Sequence, residues 1–190
     1  ASYQDYLDKI EAYTFNTMGV MVTDDTTKSL FTAFVKRLRE EMGVKFQLVL
    51  YDYAKADHMG VISVNNKVLD EGWKEAALVY WVTGACAGCA VNKSNQNRKY
   101  DGEFMVDTPY TQNELKAAIR EGKFTFHKAG TDIRVLEDVN TMVTVSDTMG
   151  DISKDNQTIR VIDQIGNDIA VLFSTKYLGV VPNDAAGRIS

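Results

Sequence analysis

Two cysteines three positions apart are the residues whose types and spacing come closest to a known chemistry. Cys86 and Cys89 form a Cys-x-x-Cys motif. A working redox pair of this form lies at a helix N-terminus just after a strand, where the helix dipole lowers the thiol pKa. Here the motif falls inside an Ala-rich apolar segment with no cation close in sequence. The sequence therefore predicts buried, unreactive thiols rather than a redox centre.

Metal ligands are the next chemistry to consider. A zinc site built on the cysteine pair would need two more ligands, and the chain offers only His58 and His127, without ligand spacing. The acids Asp147, Asp151 and Asp155 are spaced along one segment, but the glycine and bidentate glutamate of a calcium loop are out of place. We predict no metal site and a solvated acidic loop.

Phosphate binding would need glycines or a basic loop between a strand and a helix. After the strand that ends at Val22, the turn Thr23-Asp24-Asp25-Thr26 carries two carboxylates that would repel a phosphate. The glycines at 84–88 lack the Lys-Ser/Thr of a phosphate loop, and Gly122-Lys123 is followed by a phenylalanine. Dinucleotide and ATP chemistry are therefore disfavoured.

Nucleophilic catalysis would need an exposed nucleophile beside a histidine and a carboxylate. Asp57 and His58 are adjacent, so their side chains point in different directions, and no strand–Ser–helix elbow precedes them. We expect His58 on a loop surface and His127 in a strand. The sequence thus predicts no catalytic, cofactor-binding or metal-binding residue. We therefore expect that the protein is not an enzyme.

The composition of the chain limits the classes of partner that it can bind and indicates the size of its fold. With 190 residues, 45% hydrophobic and 25% charged, the chain suits one large globular domain that needs no disulfide framework. The two cysteines favour a reducing interior. A net charge of −5 argues against nucleic-acid and membrane-surface binding, and no apolar run reaches membrane-spanning length. The aromatic residues are dispersed rather than interleaved with basic ones.

Hydrophobic periodicity predicts the elements that carry these residues. The first third is expected to alternate helix and strand: a helix from Ser2 to Tyr13, a strand from Thr17 to Val22, a helix with its stripe from Leu30 to Met42, and strands at Phe46–Tyr51 and Gly60–Val64. Asp24 or Asp25 is expected to cap the second helix, and Gly43 to end it. This order favours a mostly parallel sheet covered by helices.

The rest of the chain is expected to add helices and a hairpin. A buried helix is predicted from Trp73 to Val91, followed by a polar loop at Asn92–Asp101. The next helix is opened by the capping box Thr111/Glu114 and ended by Gly122, and a hairpin of Phe124–Lys128 and Ile133–Leu136 follows it. The last predicted elements are a strand at Thr141–Val145 and a long helix from Asn156 with apolar residues up to Phe173. The fold class is α/β: a mixed, mostly parallel sheet flanked by helices, with an added β-hairpin. We predict that residues 1–190 form one α/β unit, with a possible subdivision near 66–72.

Several segments, in one order over nearly the whole chain, resemble a known family. They are LFTAFVKRLREEMGVKFQLVLY (Leu30 to Tyr51), Gly60–Val64, Trp81–Ala85, Ala90–Asn95, Tyr100–Glu103, Tyr110–Leu115, Asn156–Val161, and Tyr177–Gly179 continuing to Gly187–Ser190. Together they are similar to the tail sheath proteins of contractile phage tails, particularly those of Gram-positive prophages and phage-tail-like bacteriocins.

The resemblance implies a structural role without catalysis or cofactor. Sheath subunits stack as rings around an inner tube, assemble in an extended metastable state, and contract to drive the tube through a cell envelope. The implied partners are other sheath subunits and the inner tube, and the implied place is a virion or phage-tail-like particle assembled in the bacterial cytoplasm. Lys93, Arg98 and Lys99 are candidates for tube contact by charge alone, and a solvated loop is the competing interpretation.

The length of the chain departs from the family pattern. Family subunits are about twice as long and use terminal arms that add strands to neighbours' sheets. The chain starts at Ala1 without a methionine and stops at Ser190, so we expect a core fragment without these arms that stays monomeric, or a weak dimer, and does not polymerise. Two other classes stay open: a generic adaptor or structural module, and a small-molecule enzyme on a Rossmann-like half.

Overall fold

A parallel β-sheet organises the fold, and its strands lie side by side in the order in which they occur in the sequence. The structure, a computed structural model, describes residues 2–180, so the resembling stretch at 187–190 lies outside the described residues. The strands are β1 (Thr17–Val20), β2 (Gln47–Tyr51), β3 (Val61–Val64) and β4 (Lys123–Phe124). All three pairings between neighbours are parallel, which confirms the predicted mostly parallel sheet.

Helices cover both faces of this sheet. They are α1 (Tyr3–Ile10), α2 (Asp25–Glu40), α3 (Leu78–Ala87), α4 (Gln112–Arg120) and α5 (Asn156–Leu172). Side chains cap four of the five starts by accepting a backbone N–H three residues further on; these caps are Ser2, Asp24, Thr111 and Asp155. The capping box predicted at Thr111 is confirmed, and a second box forms at Ser2.

Each face of the sheet has its own apolar cluster. On one face, α2 packs Phe31, Val35 and Leu38 against the inward side chains of β2 and β3, such as Leu48 and Val61. On the other face, α3 covers the remaining side chains of the same two strands; this cluster includes Val49, Ile62, Leu78, Val82, Phe124 and Phe126. Because β2 and β3 are buried on both faces, their sequences are largely apolar rather than alternating, with Gln47 and Ser63 as the polar members.

Helix α3 approaches strand β1 at a glycine. A Cβ at Gly19 would overlap the hydroxyl of Thr83 on α3. That hydroxyl already donates a 2.7 Å hydrogen bond to the carbonyl of Val79, one turn back in the same helix. The helix can lie this close to the strand only because position 19 lacks a side chain.

The predicted hairpin exists, but its first strand is shorter than expected. Residues 123–129 divide into β4, in the parallel sheet, and β5 (Phe126–Ala129), which pairs with β6 (Asp132–Val135) in a two-stranded antiparallel sheet. The side chain of Asn66 causes the division. Its amide oxygen accepts from the N–H of Phe126 at 2.7 Å, and its amide nitrogen donates to the carbonyl of Phe126 at 3.0 Å. These bonds satisfy the backbone groups with which Phe126 would otherwise continue the parallel ladder.

Two other predicted elements need correction. The predicted strand at Thr141–Val145 is wrong, because the N–H groups of Val143 and Thr144 donate to the carboxylate of Asp57 instead of to a strand, at 2.7 and 3.0 Å. The predicted helix at Trp73–Val91 is real but shorter. A 3-10 turn at Glu75–Ala77 precedes α3, which ends at Ala87.

Candidate functional site

The cysteine pair lies at the C-terminal end of α3, where the helix dipole disfavours a thiolate. Cys86 is buried, and burial raises the pKa of its thiol to about 12. Cys89 is half-buried, and its Sγ lies 3.3 Å from the carbonyl oxygen of Lys93. The expectation of buried thiols is therefore confirmed for Cys86 and wrong for Cys89, because α3 ends before it and the chain turns outward.

The start of α2, after strand β1, is the place where a phosphate would sit in a nucleotide-binding α/β fold. Here the carboxylate of Asp24 accepts the N–H of Thr27 at 2.7 Å. Hydrogen bonding to the side chain and to the backbone N–H of Thr27 holds the pKa of Asp24 below its ordinary value. A carboxylate of the chain itself thus occupies the start of α2. Its negative charge would repel a phosphate there, as the sequence predicts.

His58 lies inside the protein, so the expectation of a loop surface residue is wrong. Its side chain is 7% exposed. Nδ1 accepts the N–H of Gly60 at 3.0 Å, and Nε2 lies 3.1 Å from a carboxylate oxygen of Glu40. Burial, together with the positive charge of Arg39, lowers the pKa of His58. A neutral imidazole with its proton on Nε2 satisfies both contacts, so His58 fastens the β2–β3 connection. His127 lies in β5, as predicted for a strand residue.

Clustered metal ligands and long apolar helices are both absent from the part of the chain that the structure describes. Within residues 2–180, no group of three or more His, Cys, Asp or Glu side chains is placed to hold a metal ion. Two of the three spaced acids have local roles: Asp151 pairs with Lys154 at 2.8 Å, and Asp155 caps α5. None of the described helices has the length and apolar character needed to span a membrane.

The three basic residues named for tube contact differ in their surroundings. Arg98 donates to the carbonyl of Ala85 at 3.2 Å and stacks on the ring of Trp81 at 5.3 Å. Lys99 pairs with Asp132 at 2.8 Å. Lys93 is exposed, while its backbone carbonyl accepts from Arg160 at 3.1 Å. The charges of Arg98 and Lys99 thus have partners within the chain, and their role in tube contact stays a prediction.

A buried polar network fastens the base of α5. The carboxylate of Asp138, which is buried, accepts from the backbone of Asn95 at 2.8 Å and from the side chains of Asn156 and Arg160 at 3.0 and 2.8 Å. Burial alone would lower the pKa of Arg160, but the charge of Asp138 and the hydrogen bond to it, together with weaker contributions, raise the pKa. Gln47 on β2 adds a 2.9 Å bond to Asn156. The first turns of α5 are therefore fixed to the sheet and to the loop at Asn95.

One turn further along α5, a second contact ties it to α2. Asp163 accepts two hydrogen bonds, of 2.7 and 2.8 Å, from the guanidinium of Arg39. Arg39 also donates to the carbonyl of Phe46 at 2.6 Å, and its side chain is 2% exposed. Sequence reasoning missed this pair and the Asp138 network, because their members are far apart in sequence and no local pattern marks them.

The apolar stripe of α5 faces away from the body of the protein. The sequence predicts that this stripe begins at Ile159, which is buried at 2% exposed, whereas Ile162, Ile165, Ile169, Leu172 and Phe173 are 51–62% exposed. The buried residues of the helix are Asn156, Ile159 and Asp163, and two of these three are polar. A helix normally turns its apolar face to the core. Here polar residues of the first half of α5 are fixed to the body, and residues 168–172 are exposed on every side. The apolar side chains from Ile162 onward are therefore exposed, which marks α5 as the candidate interaction surface.

Comparison with known proteins finds similarity to tail sheath proteins. A sequence model of the phage tail sheath protein central domain matches residues 1–141. The crystal structure of a sheath tail protein from Desulfitobacterium hafniense is 41% identical, covers 98% of this chain and has a TM-score of 0.88. The phage-like element PBSX protein XkdK of Bacillus subtilis is 31% identical over 89% of this chain.

The chain spans less than half of these longer proteins: 45% of the Desulfitobacterium protein and 37% of the PBSX protein. The helical sheath of the anti-feeding prophage in its contracted state matches with a TM-score of 0.67 at 13% identity. At that identity the match shows a shared fold alone.

Proposed function

This chain belongs to the phage tail sheath protein family, and on that premise we propose that it is the central part of a subunit of a contractile sheath. The sheath surrounds the inner tube of a phage tail or phage-tail-like particle. Its partners are other sheath subunits and the tube. The particle is assembled in the bacterial cytoplasm, and contraction of the sheath drives the tube through the envelope of the target cell.

The observation that carries this proposal is the similarity to a solved sheath tail protein, at 41% identity over 98% of this chain. The exposed apolar stripe of α5 adds physical support, because a contiguous apolar surface on a folded protein marks an interaction site. Work done through interfaces needs no catalytic group. The two contact states of a sheath would store and release energy by repacking, as in other bistable assemblies.

Imaging of the full-length protein tests this function. The purified full-length subunit should form hollow tubes with a regular helical repeat in negative-stain electron microscopy. The 190-residue chain should elute as a monomer in gel filtration with light scattering. Full-length protein that binds partners but forms no helical array would favour the adaptor alternative. A nucleotide that raises the melting temperature of the chain would favour the Rossmann-like enzyme.

A further inference from the structure

Beyond Ile159, one side of α5 carries apolar side chains that continue to Phe173, directly after the helix. We call them the α5 stripe: Ile162, Ile165, Ile169, Leu172 and Phe173. At 3.6 residues per turn these side chains fall within a sector of about 100° around the helix axis. The side chains that hold the helix to the body, among them Asn156 and Asp163, lie on a different sector. The stripe is therefore a separate surface and not a loosely packed part of the core.

The exposed stripe points to one occupant: we infer that the α5 stripe packs against a part of the same sheath subunit that lies outside this chain. This inference rests on the proposed function, because it takes the chain to be part of a longer sheath subunit. The occupant's surface should be apolar, since all five stripe residues are aliphatic or aromatic.

The position of α5 in the family supports this occupant. The central-domain model matches residues 1–141, so α5 at Asn156–Leu172 lies beyond it. The similarity to the Desulfitobacterium protein nevertheless extends over 98% of this chain, which makes α5 a shared feature. The same comparison leaves more than half of that longer protein unmatched, since the chain covers 45% of it. A helix outside the matched central domain is thus available to pack against another part of a longer subunit.

The size of the stripe also favours a contact within one subunit over contact between copies. A stable interface between separate chains buries about 800 Å² and about 20–30 residues on each side. The stripe offers five side chains on one helix. A segment joined covalently to α5 avoids the loss of translational and rotational freedom, so a small apolar patch is enough to hold it.

The fastening of α5 makes the stripe a fixed platform. The bidentate bond between Arg39 and Asp163 and the bond between Asn156 and Asp138 hold its first two turns. The distal turns continue as a regular helix into a single π-helical turn at Phe173–Tyr177. The segment that docks on the stripe would thus be positioned relative to the central sheet.

Amide hydrogen exchange on two forms of the protein tests this inference. In the unassembled full-length subunit, amides at 164–172 should exchange at least about tenfold more slowly than in the 190-residue chain, because packing on the stripe protects the helix. Ile169→Asp should restore fast exchange in the full-length subunit. Val171→Asp is the matched control, since Val171 is also 62% exposed but lies about 160° around the helix from Ile169. It should leave the protection intact.

Other occupants give different results. Equal exchange in the two forms would overturn the inference. So would protection that arises only when tubes form and that Ile169→Asp abolishes, because the stripe would then contact a neighbouring subunit. A dimer of the 190-residue chain that Ile169→Asp dissociates would assign the stripe to a second copy. Protection in a full-length subunit that never forms tubes would support the stripe contact and contradict the sheath function.

Discussion

The guanidinium of Arg39 on α2 and the carboxylate of Asp163 on α5 form two hydrogen bonds of 2.7 and 2.8 Å inside the protein. Their side chains are only 2% and 11% exposed. The pair joins the helix that packs on the central sheet to the helix that carries the exposed apolar stripe. It thereby fixes which side of α5 faces the body and which side faces outward.

Removing one member of this pair should be costly. Asp163→Asn leaves a buried guanidinium without its counter-charge, so the free energy of unfolding should fall by about 3–5 kcal/mol. The double variant Arg39→Met, Asp163→Leu should be more stable than Asp163→Asn, because neither charge is then buried alone. Urea denaturation monitored by circular dichroism measures both changes.

The exposed ion pair of Arg37 with Glu11, at 2.8 Å, provides the control on the same helix. Glu11→Gln should change the free energy of unfolding far less than Asp163→Asn, because solvent screens this pair. Equal effects of Glu11→Gln and Asp163→Asn would contradict a special role of the buried pair.

His58 should make stability depend on pH just below neutrality. Its folded pKa is lowered, so the unfolded chain binds more protons as the pH falls through its ordinary pKa of about 6.5. Stability is therefore complete above that pH and decreases below it, by at most about 1.4 kcal/mol at pH 5.5. Denaturation at pH 7.5 and 5.5 measures the loss. His58→Gln should reduce the difference, and an unchanged difference would show that other groups cause it.

The two cysteines should differ in reactivity. Cys89 is half-buried and Cys86 is buried, with its pKa raised to about 12. Ellman's reagent should modify one thiol quickly in the folded protein and the second only after denaturation. Cys89→Ser should remove the fast reaction, and Cys86→Ser should leave it. Two thiols that react at the same rate, or a reversible disulfide between them, would refute the assignment.

Two glycine-to-alanine changes should have opposite signs. Gly19→Ala places a methyl group against the Thr83 hydroxyl, and such overpacking costs about 1–3 kcal/mol. Gly84→Ala lies on α3 with open space around its new Cβ and should stabilise the helix by about 0.5–1 kcal/mol. Thermal unfolding of the two variants measures the effects. Stabilisation by Gly19→Ala would contradict the close approach of α3 to β1.

Local signals in the sequence predicted the elements of this fold well. The capping side chains Ser2 and Thr111 act within three residues, and the continuous apolar run of β2 reports burial on both faces. The predicted strand at 141–145 failed because the distant carboxylate of Asp57 binds its backbone N–H groups. The β4–β5 division depends on Asn66 in the same way. Periodicity carries no information on such partners.

The direction in which α5 turns its apolar face was also beyond the sequence. The spacing of Ile162, Ile165 and Ile169 defines a stripe, but the same pattern suits a core face and an interface. The direction is set by partners that lie far away in the chain, such as Arg39, 124 residues from Asp163. Candidate chemistry was easier to judge, because the reactivity of a thiol or a helix start depends largely on nearby residues.

The sheath role is decided by a cryo-electron microscopy reconstruction of particles formed by the full-length protein. We predict a helical wall around a central tube, in which every repeating subunit contains this α/β domain once and the α5 stripe is covered by chain from its own subunit. A reconstruction in which the domain occurs outside any repeating wall, or as an isolated adaptor between other proteins, would contradict that role.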